Sequence, residues 1–247
     1  MRPRTLAALG AARRAGIHVI VATGRMFRAV QPYLEQAGLD DPVVCYQGAA
    51  VVDPHDGAFL LHEPLPLETA RSAIALLDEA GHPPNCYVDD ELYVAHQTPY
   101  SRAYAEFQHL PVTEVGDLLG WLSRPPTKLV AVGEPEELAA LREPLRERLG
   151  EGAFVTTSLP FLLEIGNASV SKGTGAAWVA DRVGFAAKRA VSFGDGENDL
   201  ELLEWSGYGI AVESAHPLLL ERADWVCPGP DEEGVATVVQ AFVDSLP

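Results

Sequence analysis

The run Gly194-Asp195-Gly196-Glu197-Asn198-Asp199 follows an apolar stretch, Ala190-Val191-Ser192-Phe193. Two aspartates and a carboxamide on a loop bent by glycines are hard oxygen donors, the kind that suits Mg²⁺ completed by water and phosphate oxygens. The plainer reading is an acidic cap on the helix that follows. A calcium loop is excluded, because position six is Leu200 and the twelfth-position Glu is absent. Thr23-Gly24-Arg25 closes a second apolar stretch and opens a helix. A hydroxyl and free N–H groups there can hold an oxyanion, or Thr23 can simply be an N-cap.

Ser171-Lys172-Gly173-Thr174-Gly175 stands at a third helix start. Of 18 basic residues only Lys128, Lys172 and Lys188 are lysines. Where arginine is the default, a lysine offers a compact point charge suited to one phosphate oxygen. The alternative is a solvated lysine in a capped loop. A nucleotide P-loop is excluded, since GNASVSKG lacks the second glycine and the hydroxyl residue after lysine. Gln47-Gly48-Ala49 is a weaker candidate that also reads as a turn. The seven histidines show no metal-ligand pairing, and Ser192 has no evident histidine partner.

These residues need elements to hold them. Residues 4–15 have helical spacing, and residues 17–22 read as a strand buried on both faces. A helix to about residue 37, a strand over 42–46 and a further apolar run at 49–52 follow, a spacing that predicts a parallel sheet with helical crossovers. Residues 62–167 differ in texture, with short strands at 91–96, 127–132, 154–158 and 161–165 and helices at 67–80 and 135–149. This is an α+β insertion. From 168 the first texture returns: helices at 173–183, 200–205, 217–222 and 232–242, strands at 190–193, 209–212 and 225–227. The expected division is core 1–61, cap 62–167 and core 168–247. The fold class is α/β, a doubly wound Rossmann-like core whose strand ends collect the candidate residues.

Hydrophobic residues make up 47% and charged residues 21% of the 247, an ordinary globular balance. A formal net charge of −17 makes nucleic acid and anionic membrane poor partners. Cys45, Cys86 and Cys227 are sparse and odd in number, which points to reduced thiols and a cytoplasmic location. Arg13 and Arg14 interrupt the basic-then-apolar opening, which argues against a signal peptide or membrane span there.

Taken in order, HVIVATGR, YQGA, LEIGNASVSKGTG, FGDGENDLELL and the tail ADWVCPGPDEEGVATVV resemble the Cof-type branch of the haloacid dehalogenase superfamily. The resemblance spans almost the whole chain. It implies a Rossmann-like core with an inserted α/β cap, Mg²⁺ as cofactor and phosphatase chemistry through an aspartyl-phosphate. It further implies that Thr23, with the Gly24 backbone, bonds the phosphoryl group, and Lys172 neutralises charge. Asp195 would bind Mg²⁺ directly with Asp199 in support, and Asn198 would position phosphate. Arg25, Gln47 and Gly48 join the phosphate-binding set.

Two departures stand out. Ser214-Ala215 replaces a usual Asn-Ala pair. More seriously, relatives open with an apolar strand ending in Asp-x-Asp-Gly-Thr, whose first Asp attacks phosphorus. Here no Asp precedes Asp40. The expectation is a shortened chain, its central first strand missing and its catalysis incomplete. The expected activity is hydrolysis of small phosphorylated metabolites by a monomer or homodimer. The alternatives are a non-catalytic phosphate-ester-binding protein and a phosphomutase.

Overall fold

The computed structural model describes residues 1–246. They form two compact units: residues 1–61 with 171 onward, and an inserted unit, His62–Val170.

The first unit begins with α1 (Pro3–Arg14), started by a proline and ended by Arg13 and Arg14 against its negative end. It buries Ala8 and Ala12 and packs on the last helix of the chain. After the extended segment 17–22 come α2 (Phe27–Ala37), β1 (Val43–Cys45), β2 (Ala50–Val52) and β3 (Phe59–His62). β1 and β2 are antiparallel, with Val44 opposite Val51, so this part of the sheet is mixed rather than parallel throughout as expected. Only four residues, 46–49, separate the two strands, room for a tight turn but not for a crossover.

Residues 17–22 also depart from expectation. They make no strand, only one parallel bridge from Ala22 to Val44. Ile17, Val19, Ile20 and Val21 are half-buried, not fully buried. A strand needs a run of successive bridges to a neighbour, and this segment makes a single one, through Val44 N–H to Val21 O at 2.9 Å and Thr23 N–H to Val44 O at 2.8 Å.

The inserted unit contains α3 (Leu67–Glu79), β4 (Asn85–Val88), β5 (Glu91–Val94), α4 (Pro99–Gln108), β6 (Val112–Glu114), α5 (Leu118–Trp121), β7 (Lys128–Val132), α6 (Pro135–Leu149), β8 (Ala153–Leu159) and β9 (Leu162–Asn167). Its six-stranded sheet has the order β6-β5-β4-β7-β9-β8. Strand alternation sends Cys86, Leu129, Leu163 and Ile165 into a core shared with Ile74, Leu77 and Leu138 of α3 and α6. The other face carries Tyr87, Lys128 and Glu164. Lys128 Nζ donates to Glu164 Oε2 at 2.6 Å, both side chains buried, and the Tyr87 hydroxyl meets that of Tyr104 on α4 at 2.6 Å. A buried charge is tolerable when paired and hydrogen-bonded, and this face achieves both.

The chain re-enters the first unit with α7 (Lys172–Val183), β10 (Val191–Gly194), α8 (Leu200–Trp205), β11 (Tyr208–Val212), α9 (Pro217–Arg222), β12 (Trp225–Cys227) and α10 (Gly234–Asp244). β10, β11 and β12 are parallel, as the sequence predicts, with Ile210 opposite Phe193 and Trp225. The core here is Leu203, Ile210, Ala211, Val212, Leu219 and Cys227. Among the described residues, β1–β3 and β10–β12 are two separate three-stranded sheets. All three cysteines are buried and outside any disulfide among the described residues, and desolvation pushes the Cys86 thiol up to about 12.

Candidate active site

Each candidate residue sits where one of these core elements begins or ends. α7 starts on a reciprocal cap: Ser171 Oγ accepts from Thr174 N–H at 3.2 Å, and Thr174 Oγ1 accepts from Ser171 N–H at 2.9 Å. That cap fixes Lys172 as the first helical residue. The lysine points inward, only 7% exposed, and Nζ donates to Asp199 Oδ1 at 2.6 Å.

Asp199, 4% exposed, spends its second oxygen on the loop. Oδ2 accepts from the N–H groups of Asp195 and Gly196, both at 3.0 Å. One carboxylate thus ties Lys172 to the end of β10 and folds the Gly194–Asp199 loop back on itself. Asp195 is left exposed at the strand end, its carbonyl accepting from His216 N–H at 2.8 Å. The two aspartates differ in availability: among the described residues no side-chain bond engages Asp195, while both Asp199 oxygens have chain donors.

Thr23 caps the turn after residues 17–22. Its hydroxyl oxygen accepts from Arg25 N–H at 3.1 Å, and its carbonyl accepts from Gln47 N–H at 3.0 Å. The Arg25 carbonyl accepts from Tyr46 N–H at 3.0 Å. These bonds lock the Thr23–Arg25 turn to the Tyr46–Gly48 turn, where Tyr46 and Gln47 hold left-handed φ of 53° and 62°. Such backbone is uncommon for residues with a side chain and persists only when its surroundings enforce it.

Gly48 closes the arrangement. Its φ is +102°, and a Cβ there would lie 2.0 Å from the Ser171 carbonyl oxygen. The Gln47 turn therefore presses directly on the start of α7. Gly48→Ala is expected to destabilise this unit by about 3 kcal/mol or more through strain and backbone clash. Urea unfolding followed by tryptophan fluorescence measures it; a loss under 1 kcal/mol would mean the Gln47 turn and the start of α7 are not in contact.

Asn198 completes the set, its Nδ2 donating to Gln47 Oε1 at 2.9 Å. Thr23, Gly24, Gln47, Gly48, Lys172, Asn198 and Asp199 are thus joined by direct contacts within one unit, with Asp195 on the same loop. Arg25 enters through its backbone. The sequence did not disclose the bond from Asn198 to Gln47, whose partners are 151 positions apart. Nor did it disclose the Lys128–Glu164 pair; the rarity of lysine was its one signal.

Among the described residues no group of three or more His, Cys, Asp or Glu side chains is placed to hold a metal. The donor set still fits Mg²⁺, which takes one or two carboxylates and completes its shell with water and phosphate oxygens. Asp195 offers that open carboxylate, and Asp199 fixes the loop presenting it.

A mixed α/β core that gathers hydroxyl, ammonium and carboxylate at the ends of its elements, and is interrupted by an α+β unit, has the makings of a hydrolytic enzyme. The profile of haloacid dehalogenase-like hydrolases matches residues 1–239, and the chain belongs to that family. It is an enzyme of the phosphoric monoester hydrolase type. YxeH of Bacillus subtilis is 29% identical over 244 residues, covering 96% of this chain and 89% of its own. The 5-amino-6-(5-phospho-D-ribitylamino)uracil phosphatase YitU of Bacillus subtilis is 27% identical over 231 residues, covering 92% and 85%. The crystal structure of TM0651 from Thermotoga maritima superposes with a TM-score of 0.85 at 28% identity, covering 98% of this chain and 90% of that one.

Proposed function

We propose that this chain is the phosphate- and Mg²⁺-gripping body of a phosphatase acting on a small phosphorylated metabolite through an aspartyl-phosphate. The observation that carries the reading is the Lys172–Asp199–loop connection. A buried ammonium, held at 2.6 Å by one oxygen of Asp199, stands beside a loop whose form the other oxygen dictates. Lys172 has two further N–H bonds to offer a phosphoryl oxygen. The Thr23 hydroxyl, having accepted from Arg25 N–H, retains its own proton to donate. Asp195 would hold Mg²⁺, which supplies positive charge against the ester's oxygens. Together these groups stabilise negative charge on a transferring phosphoryl group. YitU, named for a ribitylaminouracil phosphorylated on its ribityl chain, supports a small metabolite as substrate.

Charge stabilisation is not attack. The reading assigns Asp195 to the cation and Asp199 to Lys172, and the sequence contains no Asp-x-Asp. The nucleophile in this reading is a carboxylate from an Asp-x-Asp strand, so these 247 residues alone are expected not to turn over p-nitrophenyl phosphate. Preceding them with an apolar strand ending in Asp-x-Asp-Gly-Thr is expected to raise Mg²⁺-dependent turnover by about 10⁴-fold. Robust turnover by the 247 residues, abolished by Asp195→Ala, would refute the assignment. Phosphate affinity without turnover in either form would instead favour a non-catalytic binding protein.

A further inference from the structure

We infer that the Gln47 side-chain amide is the direct donor to the phosphate at the Thr23–Gly24 turn, and that Asn198 is a positioning residue acting through it. The inference rests on the phosphatase reading above and reassigns a role within it. Family resemblance gives Asn198 a direct phosphate contact. In the structure its Nδ2 is directed to Gln47 Oε1, at 2.9 Å. Fixing an amide's oxygen also fixes where its nitrogen points.

That nitrogen is the anomaly. Gln47 Nε2 is buried and has no hydrogen-bond partner among the described residues. Buried donors in folded proteins are almost always paired, so an orphan calls for an explanation. Its surroundings show that the placement is enforced rather than loose. The backbone at Gln47 is left-handed, its N–H is spent on the Thr23 carbonyl, and its Oε1 is held by Asn198. Nε2 also lies against Gly24, where a Cβ would approach it to 2.4 Å. A side chain at position 24 would expel the amide, so glycine is what lets it reach the turn.

The chemistry of the missing partner follows. An N–H donor is satisfied by an oxygen, and the neighbouring Thr23 hydroxyl also has a proton to give. Two donors at one turn, in the same contact set as a buried ammonium, suit a tetrahedral oxyanion better than a cation or an amine. Asn198 touches no anion in this scheme. It keeps the Gln47 amide from rotating its oxygen toward the phosphate.

The test is calorimetric titration of inorganic phosphate into the full chain with Mg²⁺ at pH 7.5, beside thermal melts. Gln47→Glu keeps an oxygen for Asn198 but turns a carboxylate oxygen toward the anion. Its phosphate affinity is expected to fall at least ~10-fold with little change in melting temperature. Relative to the unmodified chain at the same pH, its affinity should recover in part as pH is lowered toward the carboxyl range near ~4.3, because a protonated carboxyl donates again. A purely structural residue would show no such recovery. Asn198→Asp offers Gln47 only acceptors, so the amide rotates, and a similar loss is expected. Should Gln47→Glu fold poorly, Gln47→Met removes the donor without adding charge and should weaken binding several-fold.

Asp195→Asn is the control. If it loses phosphate binding while Gln47→Glu and Gln47→Met bind as tightly as the unmodified chain, the assignment of Gln47 is wrong and the phosphatase reading stands. If the unmodified chain shows no phosphate binding with Mg²⁺, both fall.

Discussion

Replacing Lys172 with methionine is expected to lower the unfolding free energy of the first unit by about 3–5 kcal/mol, the usual cost of orphaning a buried charge. Methionine matches the lysine stem in length, so lost packing contributes little. What remains is Asp199, 4% exposed, still bonded to the Asp195 and Gly196 N–H groups but with Oδ1 stripped of its cation. The Gly194–Asp199 loop should loosen along with the α7 start. Urea unfolding reports it well, because Trp178, Trp205 and Trp225 lie in the first unit and only Trp121 in the inserted one. The double variant with Asp199→Asn should be less destabilised than the sum of the singles, since neither charge is then left alone. Additive losses would show that the 2.6 Å contact contributes no coupling.

How legible all this was in the sequence depends on how local each feature is. Helix starts and stops were legible because their chemistry is local: Ser171 and Thr174 cap α7, Gly184 ends it with φ +94°, and Pro3 opens α1. The loop after β10 was legible for the same reason, its donors lying within six consecutive residues. Residues 17–22 were misread because a β-branched run reports burial propensity, whereas a strand needs hydrogen-bonded edges. Gln47-Gly48-Ala49 reads as a turn from its glycine, but a turn alone does not give the direction of the strand that follows; the antiparallel return of β2 on β1 takes left-handed backbone at Tyr46 and Gln47 as well as at Gly48, and those two residue types do not announce it.

Features requiring register were out of reach. Lys128 and Glu164 lie on β7 and β9, and only the pairing of Val130 with Glu164 puts them on one face within reach. The Asn198–Gln47 bond depends on two turns meeting, which no spacing encodes. α4 escaped too. Its sequence PYSRAYAEFQ mixes aromatic and polar residues, and its buried members include Ser101 and Gln108. An apolar-period search does not see a helix that buries hydrogen-bonding side chains.

Asp195→Asn should behave in the opposite way to Lys172→Met, with a large effect on ligand and almost none on fold. The Asp195 side chain is exposed and makes no bond among the described residues, while its backbone holds the loop through Asp199 and His216. Stability without Mg²⁺ should therefore stay within about 0.5 kcal/mol of the unmodified chain. Adding Mg²⁺ should raise the melting temperature of the unmodified chain, by linkage to the folded state, and not that of the variant. A chain of net charge −17 gains something from any divalent cation through screening, so the comparison belongs at matched ionic strength. Screening acts equally on both proteins, because one charge in seventeen alters it little; only a cation seated on Asp195 separates them. Equal Mg²⁺ stabilisation of the two would place the cation elsewhere, and with it the charge that the phosphatase reading needs beside Lys172.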